Sequence, residues 1–266
     1  MTWMSRLRRV SAGGAAPVAD GDRAFARLVA GQAVVLAGPA RTLEGTGAGA
    51  AIDRFDLVVR VNEGLWHAQA GADVHRDYGA RTDICYGNQA VLRSAVLDQA
   101  PTWRQRPRHV LPHLVCTNNS LSYGADGRPS AACPWDDRRV PGEVAAGLHR
   151  ASPGRQCRVA WAAPALLHRW LDGQWARTGL VALVDLLMLE VASLHVTGMT
   201  FYHGGGHRLA PRDAVLGPRT NRDGTPACDG RGIGHDSVRE LDILRWLLRW
   251  YPARLSVDAG LERLLR

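Results

Sequence analysis

Short apolar runs of strand length, recurring between glycine-rich or helical stretches, constrain this chain more than any other feature. Ala33-Val34-Val35-Leu36-Ala37 is one, and Leu57-Val58-Val59-Arg60-Val61 is another. Similar runs predict strands at 83–86, 109–116, 158–161, 194–197 and Leu255–Val257. Helical patterns fall between them: 21–30, 164–171, 179–192, a helix behind Ser237 and a last one from Asp258. In 179–192, Leu180, Val184, Leu187 and Val191 recur at helical spacing. Strands alternating with helices predict an α/β, Rossmann-like fold: a mostly parallel sheet with helices on both faces. Ligands of such sheets sit at the carboxyl ends of the strands.

At 266 residues and 46% hydrophobic, the chain has material for one sizeable core. Residues 1–24 read as a loose arm and 25–266 as a single domain. Within it, 99–156 is rich in Pro, Arg, Trp and Gly and reads as an irregular insertion, or lid, over the site. Ser237 and Glu240 are spaced as a capping box.

The net charge of +8 comes entirely from arginine, since no lysine occurs. With abundant Ala and Gly, that pattern is a compositional bias, and no basic run resembles a nucleic-acid arm. Nucleic acid is therefore not an expected partner. Arg6, Arg8 and Arg9 could touch an anionic surface, at roughly 2–3 kcal/mol for two or three charges. Peripheral contact with an inner membrane thus stays open. Five widely spaced cysteines without a CxxC pair argue against a zinc site and for reduced thiols in a cytoplasmic protein. Neither a secretory leader nor a charge-free span of about 18 apolar residues is visible.

The run Val34 to Gly49 leads a strand into a Gly-rich turn before a helix, which offers backbone N–H groups to a phosphate. It lacks GxGxxG and GxxxxGK[ST], so the dinucleotide and nucleoside-triphosphate fingerprints fail. A tight connection without a ligand gives the same letters. Arg177-Thr178-Gly179 opens the 179–192 helix, where a hydroxyl and free N–H groups could face a phosphate or ribose; Thr178 could equally be a plain N-cap.

Together these segments carry a resemblance. Val34 to Asn62, with its glycines, Ile52-Asp53 and the ending Asp56-Leu-Val-Val-Arg60-Val-Asn62, resembles the first shared motif of the eukaryotic-type sialyltransferases. Gly79-Ala-Arg81-Thr82 resembles the segment that follows it in that family. Arg177-Thr-Gly-Leu-Val-Ala-Leu183 resembles the second motif, and His235 with Glu240 matches the short H-x-x-x-x-E motif. Phe201-Tyr-His-Gly-Gly-Gly-His207 is an imperfect match to the remaining one. Pro39 stands where the family has an asparagine, which removes an amide donor and a side-chain amide together.

The resemblance implies a variant GT-A fold and a metal-independent, inverting glycosyltransferase. The donor would be CMP-sialic acid or CMP-Kdo, the acceptor a glycan hydroxyl, and no cofactor would be needed. His235 would be the general base, consistent with a helix N-terminus that disfavours imidazolium. His203 or His207 would meet the donor phosphate, with His203 preferred. Gly38, Arg60, Asn62, Thr178 and Gly179 would complete the donor site. Three other readings stand beside this one. The first is a non-catalytic nucleotide-binding protein of the same fold. The second is an esterase, suggested by His203-Gly-Gly-Gly206 but lacking any G-x-S-x-G. The third is a cation held by His203, His207 and His235.

Overall fold

The structure is a computed structural model and describes residues 20–62, 64, 71–88, 91–92, 112–117, 146–150, 154–160, 162–172, 174–201 and 236–266. Seven strands form one sheet: β1 Ala33–Ala37, β2 Leu57–Val61, β3 Ile84–Gly87, β4 His113–Cys116, β5 Cys157–Val159, β6 Ser193–Thr197 and β7 Leu255–Val257. Their order is β5-β4-β3-β2-β1-β6-β7, and every pairing is parallel. The sheet is thus wholly, not mostly, parallel.

Alternation along β1 shows why both faces are covered. Val34 and Leu36 join a large core with the Asp20–Val29, Ala162–Trp170, Thr178–Met188 and Ser237–Trp250 helices. Val35 and Ala37 face the other way, onto Leu43, Ile52, Val74 and Tyr78. A residue buried whichever way it points is what a central parallel strand requires, so the run carries no polar position. The Thr178–Met188 helix is enclosed in the same sense: every residue from Thr178 to Leu187 is buried.

Two boundaries differ from the sequence reading. The first helix, Asp20–Val29, matches the expected 21–30 to within one residue and so overlaps the last residues given to the loose arm, with Phe25 and Val29 fully buried in the core. β4 lies inside the span expected as an insertion, yet it pairs with β3 and β5 and belongs to the sheet. The rest of the expected 99–156 lid lies largely outside the described residues. No helix among the described residues is long and apolar enough to cross a membrane.

Candidate functional site

From β1 the strand order runs one way through β2 to β5 and the other way through β6 and β7. The switch point is therefore β1/β6, and the crevice outside their carboxyl ends is where such sheets hold ligands. Gly38 leaves β1 there and Gly198 leaves β6. A Cβ on Gly38 would sit 2.3 Å from Gly198 O and 2.6 Å from Met199 Cγ, so only glycine permits the approach. Gly198 itself has φ +62°. Asp258 fixes it: Oδ2 accepts from Gly198 N and from Thr197 Oγ1, both at 2.8 Å, while Oδ1 caps Leu261 N at 2.7 Å.

The amides of the β1 exit are already committed. Gly38 N donates to Thr197 O at 2.8 Å, Pro39 has none, and Ala40 N donates to Gly198 O at 2.9 Å. Further on, Gly45 N and Gly47 N both donate to the carboxylate of Asp77, at 2.8 and 2.9 Å. The concave loop that read as a phosphate cradle thus holds an anion of its own chain. Those bonds, from Gly45 first, then Arg76 and Gly47, pull the Asp77 carboxyl down to about 2. The expectation that Gly38 and its neighbours offer N–H groups to a donor is corrected accordingly; Gly38 serves close packing at the switch point.

Arg60 is also turned inward. It is fully buried; Nε donates to Arg81 O (3.1 Å) and Thr82 Oγ1 (3.3 Å), and Nη2 to Tyr78 O (2.6 Å). Burial lowers its pKa to about 10. Its expected place at the donor gives way to clamping the carbonyls that end the Ala72–Tyr78 helix. Arg81 does similar work, donating to Asp53 O, Phe55 O and Asp56 O. Asn62, by contrast, stands at the carboxyl end of β2 with φ +45°. Its Oδ1 accepts from Asn88 N at 3.1 Å, which fixes the amide with Nδ2 as its donating side.

Thr178 is buried at the first position of its helix, and the N-cap is Arg177, which supplies no side-chain bond. Thr178 as a plain N-cap is therefore excluded. Gly179 lies against Met199, whose Cε would be 2.1 Å from an added Cβ. Gly38 and Gly179 thus meet the same methionine from two sides.

Glu240 bolts a second helix head to this one. Its Oε1 accepts from Arg177 N at 2.7 Å and its Oε2 pairs with Arg177 Nη1 at 2.5 Å. Glu240 is fully buried, and desolvation raises its pKa even against Arg177. The expected capping box is corrected here. Asp236, not Ser237, is the N-cap, accepting from Val238 N and Arg239 N at 3.1 Å. Glu240 reaches a different helix 63 residues away.

Sequence reasoning missed Arg177, Asp77, Asp236 and Asp258; each is an ordinary polar letter whose partner lies far along the chain or one residue from the expected cap. His203, His207 and His235 lie outside the described residues, although His235 directly precedes Asp236.

No family model matches the sequence, and neither does any curated protein. Solved structures do match in fold. The α-2,3-sialyltransferase Cst-I of Campylobacter jejuni aligns at TM-score 0.52 and 12% identity, over 85% of this chain and 75% of that one. A variant of the sialyltransferase Cst-II in complex with CMP gives 0.51 and 13%, over 85% and 80%. A mammalian sialyltransferase gives 0.50 and 13%, over 96% and 78%. At such identity the likeness is one of fold.

Proposed function

We propose that this chain is an inverting, metal-independent glycosyltransferase that moves a sialic acid or Kdo-like sugar from a CMP-activated donor to a glycan hydroxyl. One observation carries the reading. The Thr178–Met188 helix opens at the switch-point crevice, where Gly179 and Gly38 meet Met199, and Arg177–Glu240 holds the head of the Ser237–Trp250 helix beside it. A positive helix end favours an anionic group by position and by dipole. The fold shared with a sialyltransferase solved with CMP supports the choice of nucleotide.

In this mechanism CMP leaves as the anomeric carbon becomes oxocarbenium-like. His235 removes the acceptor hydroxyl proton in the same displacement, which inverts the centre. A base in this role acts as a neutral imidazole. The Gly179 N–H, the Thr178 hydroxyl and His203 or His207 steady the departing phosphate, and the Asn62 amide meets the nucleotide. Gly38 and Arg60 take no part in this set. Fixed donors of this kind stabilise charge without a metal ion. The reaction belongs to the cytoplasmic side, where thiols stay reduced.

The test is CMP release from CMP-sialic acid and from CMP-Kdo, with and without a glycan acceptor. His235→Ala should lower turnover at least about 10²-fold while CMP still binds. Undiminished turnover removes His235 from the mechanism. Binding of CMP without release from either donor favours the non-catalytic reading. Activity abolished by a chelator favours a cation at the three histidines.

A further inference from the structure

A groove of about 480 Å³ runs along the outer side of the Ser237–Trp250 helix, away from the crevice just described. Trp170, Ile243 and Trp246 form its apolar wall, and Asp172, Arg239 and Asp242 its polar one. The size falls within the roughly 300–1,000 Å³ of small-ligand pockets. Trp170 meets Trp246 edge-on at 5.5 Å, and Trp246 meets Trp250 at 5.6 Å, so the indoles form a continuous row. Trp250 is 60% exposed, an unusual position for so large an apolar ring. Arg239, Ile243, Trp246 and Trp250 follow one another at three- and four-residue steps. The stripe therefore extends about 16 Å at 1.5 Å per residue. It starts one helical turn from Asp236, the neighbour of His235.

The charges decide what fits. Arg239 pairs with Asp172 and Asp236, and Arg245 with Asp242. Among the groove's own lining two aspartates stand against one arginine, so this face offers no excess positive charge to attract an anionic lipid or polymer. The Asp172 and Asp242 side chains are 72% and 62% exposed, and pressing them into a bilayer interface would desolvate carboxylates. Pairs this exposed contribute little stability. What they supply is a rim of planar hydrogen-bonding groups beside flat aromatic faces. A pyranose presents the complementary pattern: hydroxyls around its edge and an apolar C–H face that packs on the electron-rich face of an indole.

We infer that this groove binds an uncharged oligosaccharide and is an extended subsite for the glycan acceptor, holding sugar units remote from the one that is modified. The acceptor role rests on the transferase reading above; the binding itself does not. Trp246 is partly packed on the core, so the informative substitutions are at the rim: Trp250→Ala and Asp242→Asn.

The full chain is titrated with lactose and with the neutral tetrasaccharide lacto-N-neotetraose, following indole fluorescence. We expect a saturable response, tighter for the tetrasaccharide, that weakens about tenfold in each variant while CMP binding is unchanged. With a CMP-sugar donor, KM for the tetrasaccharide should lie below that for lactose. Trp250→Ala should erase the difference and leave donor hydrolysis in water unaltered. Tetrasaccharide binding that persists unchanged in both variants overturns the inference. So does an indole response confined to phosphatidylglycerol–phosphatidylcholine vesicles. Absence of transfer to any acceptor would remove the transferase reading alone, since the titration judges the groove separately.

Discussion

Two glycine-bearing segments meet at the carboxyl edge of the sheet and wire their backbone amides to different partners. In the exit from β1, Gly38 and Ala40 donate to the strand and turn of β6, and Gly45 and Gly47 hold Asp77. At the head of the Thr178–Met188 helix the N-cap residue Arg177 offers no capping side chain, and its own N–H donates to Glu240. A Gly-rich run between strand and helix is the usual letter pattern for a phosphate site. Here it satisfies the protein itself, and the end proposed for the donor belongs to the segment with the plainer sequence. The difference lies in where each acceptor comes from: the β1 loop is filled by a carboxylate of the Ala72–Tyr78 helix, beyond β2, while Arg177 N at the other head meets Glu240 of the Ser237–Trp250 helix.

The comparison predicts effects that can be ranked. The largest follows removal of the bolt that holds the second helix head beside the first. Glu240→Ala breaks a buried pair, and such breaks cost about 3–5 kcal/mol. Denaturant unfolding should show a loss in that range, together with weakened CMP binding. A loss under 1 kcal/mol would mean that Arg177 and Glu240 do not set the geometry of the site.

Next comes the same substitution at the two glycines. Gly38→Ala drives a methyl into the backbone carbonyl of Gly198, which cannot swing aside. Overpacking of that kind costs typically about 1–3 kcal/mol. Gly179→Ala meets only the Cε of Met199, the free end of a flexible chain. Its Tm should stay near that of the parent while CMP affinity falls, because the methyl narrows the helix head. Equal destabilisation by both substitutions would erase the contrast drawn between the two segments.

The fold was legible where burial acts alone. β1 and β2 occupy the predicted residues because a mostly apolar run has only one economical placement there, and the edge strand β7 falls on its predicted residues as well. The edge strand β5 shifted, from 158–161 to Cys157–Val159. It is half-buried throughout, so its apolar letters mark its place less sharply. The long central helix ends at Met188 rather than at 192. Val191 keeps the helical period, yet Glu190 already adopts φ +61° and Ala192 N donates to Gln32 O to feed β6. The placement of the candidate residues on the fold was legible, and their wiring less so. Thr178, Gly179 and Asn62 stand at the carboxyl edge as expected, whereas Arg60, Asp77 and Glu240 were decided by partners 18, 30 and 63 residues away. A polar letter states that a bond will be made but not with whom.

The smallest effect tests the filled loop by pH. The folded Asp77 carboxyl sits at about 2, below its ordinary value of 3.8, because the charged form accepts from Gly45, Arg76 and Gly47. A depressed pKa means that the native state binds fewer protons than the unfolded chain. This contribution is therefore complete above about pH 4 and lost as pH falls towards 2. In wild-type protein Tm should drop across that window. Asp77→Asn, which cannot ionise and offers one acceptor oxygen for two amides, should start lower at pH 7 and lose less between pH 4 and 2. Parallel Tm curves for the two proteins would show that Asp77 does not occupy the loop as an anion. The β1 exit would then return to contention as a place for the donor phosphate.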